Sequence, residues 1–477
     1  MEVTKRNFFT NVLWRFFERI GAQAVSFIVS IILARLIDPE YYGKIALITV
    51  FTAILQVFVD SGLGNALIQK KDVDNLDFST VFFTNILFCL VLYAILFFLA
   101  PLIAKFYSDN QFTILIRVLG LTLIISGVKN VLQAYVAKNM IFKKFFFATL
   151  FGTVVSAVVG ICLAYKGLGV WTLIAQQLIN LFIDTVVLWI IVPWKPVFQF
   201  SFERLKKLFS FGWKILLVDL LTVGTLKLRQ LVIGKKYTSV DLAYYNKAEV
   251  LPQVIVSNID SSLSNVLFVS MSSVQNDILT IKKMAKKTLK TSFYIMAPLM
   301  IGLAITAPEV IKLLLTDKWI FCVPYVRIFC IYYLFTPILT VNLNAIISIG
   351  KSALFLKIEF YKKITTLIIL LLTMWFGVKV MAYSLLIESL IQQIIGAFPN
   401  KKLISYSYVE QIKDILPNLF FALFMGICVY FIHFVQMNDL IKLFLQILIG
   451  GIVYITGSAI FKLESFVYLI EILKLKK

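Results

Sequence analysis

Asp60-Ser61-Gly62-Leu63-Gly64-Asn65-Ala66-Leu67 returns 200 residues later as Asp260-Ser261-Ser262-Leu263-Ser264-Asn265-Val266-Leu267, with five of the eight positions identical. The same offset lays Leu33-Ala34-Arg35 on Ile233-Gly234-Lys235. Farther on, Ala100-Pro101-Leu102-Ile103-Ala104-Lys105 aligns with Ala307-Pro308-Glu309-Val310-Ile311-Lys312, and Arg117-Val118 with Arg327-Ile328. The offset grows slowly along the chain, as short loop insertions produce. Four matches in order make chance a poor explanation.

The repeat is set in strongly apolar sequence. The 477 residues are 60% hydrophobic and 15% charged, with a mean hydropathy of +0.91. A soluble chain of this length needs far more polar surface, and long apolar runs of low charge are the mark of membrane spans. Runs of the length that crosses hydrocarbon lie near 12–34, 42–68, 79–104, 112–137, 146–165, 169–192 and 211–234. Seven more lie near 242–268, 292–315, 322–349, 361–377, 379–398, 416–435 and 440–461. The expected fold class is therefore an all-α polytopic membrane protein of about fourteen transmembrane helices.

The repeat divides these into an N-lobe over 1–199, a C-lobe over 200–400 and a C-terminal helix pair with its tail over 401–477. With six helices per lobe, both lobes start on the same side, so the repeats are parallel. That arrangement suits two lobes rocking about a central site. Lys and Arg in alternate connecting segments outnumber those in the others by about three to one, which predicts both termini in the cytoplasm. The formal net charge of +21 is then a consequence of topology, and nucleic acid is not needed to explain it. Met1–Thr10 lacks the pattern of a cleaved signal peptide, so the N-terminus is expected to be retained.

Ionisable groups are costly at mid-bilayer and normally face protein or water. Arg15, Arg19, Gln23, Ser26 and Ser30 recur at helical spacing, as do Thr49, Thr52, Gln56 and Asp60. The second repeat carries Asp219, Thr222, Thr225 and Arg229, then Glu249, Gln253, Ser257, Asp260 and Ser264. Such stripes predict a hydrophilic cavity between the opening helices of the two lobes. Arginine on such faces can engage a polar substrate with its planar fork of donors. Arg15 and Arg19 are accordingly candidate substrate ligands at the inner mouth, and Arg117, Arg229 and Arg327 are candidates elsewhere on the path. Asp60, Asp219 and Asp260 are candidates for ion coupling. For each, a helix-to-helix contact or a headgroup-level anchor is the competing reading.

Enzyme chemistry finds little support. Cys89, Cys162, Cys322, Cys330 and Cys428 form no CxxC pair and His433 is the sole histidine, so neither a metal site nor another cofactor is expected. Gly350-Lys351-Ser352 imitates the end of a phosphate-binding loop, but Ala345 stands where the loop needs glycine. No connecting loop is long enough for a catalytic domain.

The stretches Ile32-Leu33-Ala34-Arg35-Leu36-Ile37-Asp38-Pro39-Glu40-Tyr41-Tyr42-Gly43 and Asp60 to Lys71 resemble the Wzx-like polysaccharide transporters of the multidrug/oligosaccharidyl-lipid/polysaccharide (MOP) exporter superfamily. Ser210-Phe211-Gly212, Ile233-Gly234-Lys235, Leu242-Ala243-Tyr244-Tyr245 and Val274-Gln275-Asn276-Asp277 are similar to its second-half landmarks. Arg229, Ala243 and Val269 depart from the family's commoner Asp, Gly and Pro. The resemblance implies a flippase for undecaprenyl-diphosphate-linked oligosaccharide in a bacterial inner membrane, feeding capsule, O-antigen or exopolysaccharide assembly. Its implied partners are the lipid-linked oligosaccharide, membrane lipids, and a polysaccharide polymerase with chain-length machinery. A drug exporter of the same superfamily and a membrane-embedded polymerase or ligase are the alternatives.

Overall fold

The computed structural model describes residues 21–474 apart from 22 and 61. The described residues are helical almost throughout and fall into two compact units, Met1–Ala243 and Tyr244–Lys477. The first unit contains α1 (Gln23–Leu36), α2 (Pro39–Asp60), α3 (Leu63–Gln69), α4 (Asn75–Tyr107), α5 (Gln111–Lys138), α6 (Phe142–Tyr165), α7 (Val170–Ile191) and α8 (Phe202–Lys236). Helix α9 (Ser239–Ser272) leads into the second unit, which holds α10 (Ile278–Leu315), α11 (Val323–Leu334), α12 (Thr336–Ser348), α13 (Ser352–Thr373) and α14 (Val378–Ala397). Then come α15 (Asn400–Leu403), α16 (Tyr408–Phe431), α17 (Asp439–Ile460) and α18 (Glu464–Lys474).

Among the described residues, 11 helical stretches are long and apolar enough to cross a membrane. The protein is thus a multi-pass membrane protein. Of the fourteen predicted spans, 12–34 falls partly outside the described residues. The span 211–234 lies in α8 and all but the last four residues of 361–377 in α13, neither of which is among those 11 stretches. Helices suit this setting because hydrocarbon offers no partner to a free peptide group. Large apolar side chains stay on the outside, as Leu87, Phe98, Ile190 and Phe420 do at 66%, 75%, 74% and 64% exposure.

Turn chemistry marks the ends. Asp74 caps α4 by accepting from the Asp77 amide at 2.9 Å, and Asp77 returns the bond to the Asp74 amide at 3.1 Å. Gly350, at φ +79°, turns the chain between α12 and α13, which accounts for the Gly-Lys-Ser signal without a nucleotide.

The segment between α7 and α8 is stitched to the start of α4. Trp194 donates its indole N–H to Asn75 at 2.5 Å, the Val197 amide to Ser79 at 2.9 Å, and the Ser201 amide to Thr80 at 3.2 Å. Arg204 then pairs with Asp74 and lies 3.3 Å from the fully buried Asp77, which Lys70 also meets at 2.5 Å. Trp194 packs with Phe78 and Phe82 over Leu132 and Leu188.

Helices α6 and α7 meet across small residues. A Cβ on Gly152 would lie 2.9 Å from the Asn180 carbonyl oxygen and 3.1 Å from Asp184, and one on Gly160 would lie 3.1 Å from Gln176. Beside Gly152, the buried Asp184 pairs with Lys129 of α5 at 2.5 Å.

Candidate functional site

In the first unit the polar stripe of α2 ends in a small network. Asp60 accepts from Gln56 at 3.0 Å and from Asn130 of α5 at 3.3 Å. Asn130, only 7% exposed, in turn accepts from Asn85 of α4 at 3.3 Å. In the second unit Asp260 accepts from Thr340 of α12. The offset that aligns Arg117 with Arg327 also aligns Asn130 with Thr340. In each unit the aspartate of the octapeptide thus accepts from the residue thirteen positions after the aligned arginine, Asn130 in α5 and Thr340 in α12.

Those arginines behave alike too. Arg117 donates through Nε to the Phe97 carbonyl oxygen at 3.3 Å, with its guanidinium 3.9 Å from the Phe97 ring centre. Arg327 donates through Nε to the Ala304 carbonyl oxygen at 3.1 Å. Each sits thirteen residues before its unit's partner to the aspartate, which along the single helix α5 is about 20 Å at 1.5 Å per residue and in the second unit spans the junction of α11 and α12. In the first unit arginine and aspartate thus occupy different levels. Arg229 of α8 is buried at 6% exposure, and Asp219, ten residues earlier, is half-buried. Arg15 and Arg19 lie outside the described residues.

Further polar groups lie inside the second unit. Glu309, 3% exposed, meets His433 at 2.8 Å, and Glu388, 4% exposed, accepts from Thr366 at 2.6 Å and Gln392 at 2.9 Å. Asn342, Asn400 and Gln411 are all buried, and Asn342 accepts from both of the others, at 2.6 Å and 2.9 Å. With Lys129 and Asp184 of the first unit, these were legible as isolated charged or amide side chains in apolar runs. Their partners, far off in sequence, were not. No group of His, Cys, Asp and Glu able to hold a metal ion occurs among the described residues.

A polytopic helical bundle with duplicated intramembrane contacts defines the class, and comparison with known proteins supplies the family. The polysaccharide biosynthesis protein family matches residues 32–324, more than half of the chain, which therefore belongs to that family. The chain is 24% identical over 93% of its length to an uncharacterized membrane protein in the cps region of Klebsiella pneumoniae, covering 92% of that protein. It is 23% identical over 66% of its length to the succinoglycan biosynthesis transport protein ExoT of Rhizobium meliloti, spanning 64% of that relative, just under two thirds. It is 22% identical over 85% of its length to the teichuronic acid biosynthesis protein TuaB of Bacillus subtilis, covering 85% of it. Among solved structures, the lipid II flippase MurJ in an inward closed conformation superposes with a TM-score of 0.76 at 16% identity, covering 95% of this chain and 98% of MurJ. An inward-facing multidrug resistance MATE transporter of the MOP superfamily gives 0.64 at 15%, covering 80% and 94%. The fold is that of MOP superfamily transporters.

Proposed function

We propose that this protein moves undecaprenyl-diphosphate-linked oligosaccharide from the inner to the outer leaflet of a bacterial cytoplasmic membrane, by alternating access. The observation that carries the reading is the duplicated pair of contacts, Asp60 with Asn130 and Asp260 with Thr340. It sets a carboxylate against an amide in one unit and against a hydroxyl in the other, within apolar helices of a chain of the polysaccharide biosynthesis family. A diphosphate bearing sugars cannot enter hydrocarbon unaided, whereas a polyprenyl tail can remain in lipid. The relatives' printed roles in succinoglycan transport and teichuronic acid biosynthesis fit a saccharide cargo.

In this reading fourteen spans form two six-helix lobes and a terminal pair, with both termini cytoplasmic. Arg15 and Arg19 take the diphosphate at the inner mouth, Arg229 holds it farther along, and the terminal nitrogens of Arg117 and Arg327 meet it near the outer mouth. Several weak stations serve better than one tight site, since the headgroup must leave again. Asp219 and Asp260 exchange the coupling ion. A polymerase and chain-length machinery take the delivered cargo.

The test is reconstitution of the full chain into vesicles with a fluorescent undecaprenyl-diphosphate saccharide, read by a reagent confined to one side. Movement that depends on the protein, and is absent for a dye substrate of drug exporters, is expected. Movement of the dye with none of the lipid-linked saccharide overturns the proposal in favour of drug export.

A further inference from the structure

The two repeats differ where α3 approaches α5. In the second unit, Asn344 donates to Ser264 at 3.3 Å, so two polar side chains fill the space between the equivalent helices. The repeat equivalents in the first unit are Ala134 and Gly64. Both are too small to meet, and the space stays open as a cavity of about 230 Å³. Gly64 is held to its size on another side as well, since an added Cβ would lie 2.7 Å from the Asn130 amide oxygen. A contact made in one copy is missing from the other, and a cavity stands in its place.

Its lining has a definite chemistry. Asp60 and Asn130 are present, already oriented by the network that joins them. Gln133, at the position of Leu343 in the other repeat, adds an amide that can donate and accept. Phe142 and Phe145 supply aromatic wall. Carboxylate and amides to engage hydroxyls, with rings to cover an apolar C–H face, match a pyranose. The volume is below the roughly 300 Å³ at which pockets for drug-sized ligands begin, which fits a single sugar ring. The Asp60 carboxylate disfavours an acidic sugar through like-charge repulsion.

We infer that the cavity bounded by Gly64, Ala134, Gln133 and Asp60 is a monosaccharide subsite that selects a neutral or amino sugar in the cargo's headgroup. The inference rests on the saccharide reading above and adds where one sugar is recognised. Restoring the second repeat's residue, Ala134→Asn, should plug the cavity while removing none of its polar groups.

The test uses the full chain in nanodiscs, with methyl pyranosides of neutral, amino and uronic type as probes and saturation-transfer NMR as the readout. Neutral or amino glycosides should bind in the millimolar range, and the uronate should not. Ala134→Asn and Gln133→Ala should each weaken binding at least tenfold, with thermal unfolding midpoints near that of the unmodified chain. Equal binding by Ala134→Asn, binding of the uronate alone, or a cavity that responds only to sodium overturns the subsite. The vesicle assay separates the two readings. If glycosides bind only when the cavity is open and no lipid-linked saccharide moves, the subsite stands and the transport reading falls. If lipid-linked saccharide moves and Ala134→Asn alters neither rate nor sugar preference, transport stands and the subsite falls.

Discussion

Arg117 donates its Nε–H to the carbonyl that Pro101 leaves without a donor. In a regular helix the amide of residue 101 would bond the carbonyl of Phe97, four residues earlier, but proline has no N–H. Arg117, on the next helix, makes that bond instead. The second unit repeats the device: Pro308 of α10 frees the carbonyl of Ala304, and Arg327 takes it. Irregular backbone at membrane depth persists only where a neighbour satisfies it. The guanidinium, with five donors, does so and keeps others for different work.

This relationship separates support from substrate contact. Arg117→Ala should cost about 1 kcal/mol, the low end of the penalty for an unsatisfied acceptor because the bond is part-buried, read as a lowered unfolding midpoint. In a Pro101→Ala background, where the helix satisfies its own carbonyl, the same change should cost far less. Arg327→Ala and Pro308→Ala should follow the same cycle. An equal loss in both backgrounds would sink the support role. Transport that stays impaired after stability is restored would assign the arginines to the cargo path.

Ion coupling is tested at Asp219 and Asp260. The double change Asp219→Asn and Asp260→Asn is expected to leave vesicles whose transport no longer responds to an imposed proton gradient. Because Asp260 accepts from Thr340, an amide there can keep a hydrogen bond, so the fold should survive. A variant that answers the gradient as the unmodified chain does excludes these carboxylates as the coupling groups.

Orientation predicts a labelling pattern. In a cysteine-free background, cysteines replacing the exposed Lys71, Lys206, Lys283 and Lys401 should be shielded from an impermeant reagent in intact cells, and those replacing Asn110 and Lys318 should react. Lys71 is preferred to Lys70, whose removal would take one of its two cationic partners from the buried Asp77. Reaction at Lys206 or Lys283 from outside reverses the proposed topology.

The stitched segment before α8 gives a pH prediction. The hydrogen bond from Arg204 holds the Asp74 carboxyl down at about 2, against an ordinary value of 3.8. A depressed acid contributes stability above its ordinary range and loses it only as pH falls through the lower value. A spin label at Gln199, in the segment bonded to Ser79 and Thr80, should therefore keep its mobility from neutral pH to about 4 and loosen nearer 2. Arg204→Gln should move that loosening up toward the ordinary carboxylate range. Unchanged mobility profiles would show that the Arg204–Asp74 pair does not hold the segment. Ser79→Ala with Thr80→Ala should loosen it at every pH, each lost bond costing about 1 kcal/mol.

Much of this was legible in the sequence because membrane helices obey few rules. Apolar runs of span length mark the helices, and the Asp60 and Asp260 octapeptides announce the repeat. The capping pair Asp74 and Asp77 could be read from its spacing alone. What pairs with what could not. Nothing near Arg117 in sequence points to Phe97, and Lys129 and Asp184 are 55 residues apart. Such contacts depend on how helices pack side by side, which periodicity does not report. The cavity beside Asp60 was hidden for a related reason: Gly64 and Ala134 leave no mark except against Ser264 and Asn344.

The seam between α6 and α7 makes one small genetic change act as something larger. Gly152 lies so close to Asp184 that a single added methyl would press on its backbone and Cβ. Relief needs a shift of a few tenths of an ångström in the very residue that pairs with Lys129 at 2.5 Å, so the strain is passed to a buried ion pair. Breaking such a pair outright costs about 3–5 kcal/mol, which makes this contact more sensitive than a methyl group added to an open helix face. Gly152→Ala, conservative in any table of amino-acid similarity, would be inherited as an electrostatic lesion, and a compensating second mutation would be expected at Lys129, one contact removed from the glycine, as readily as at Asp184.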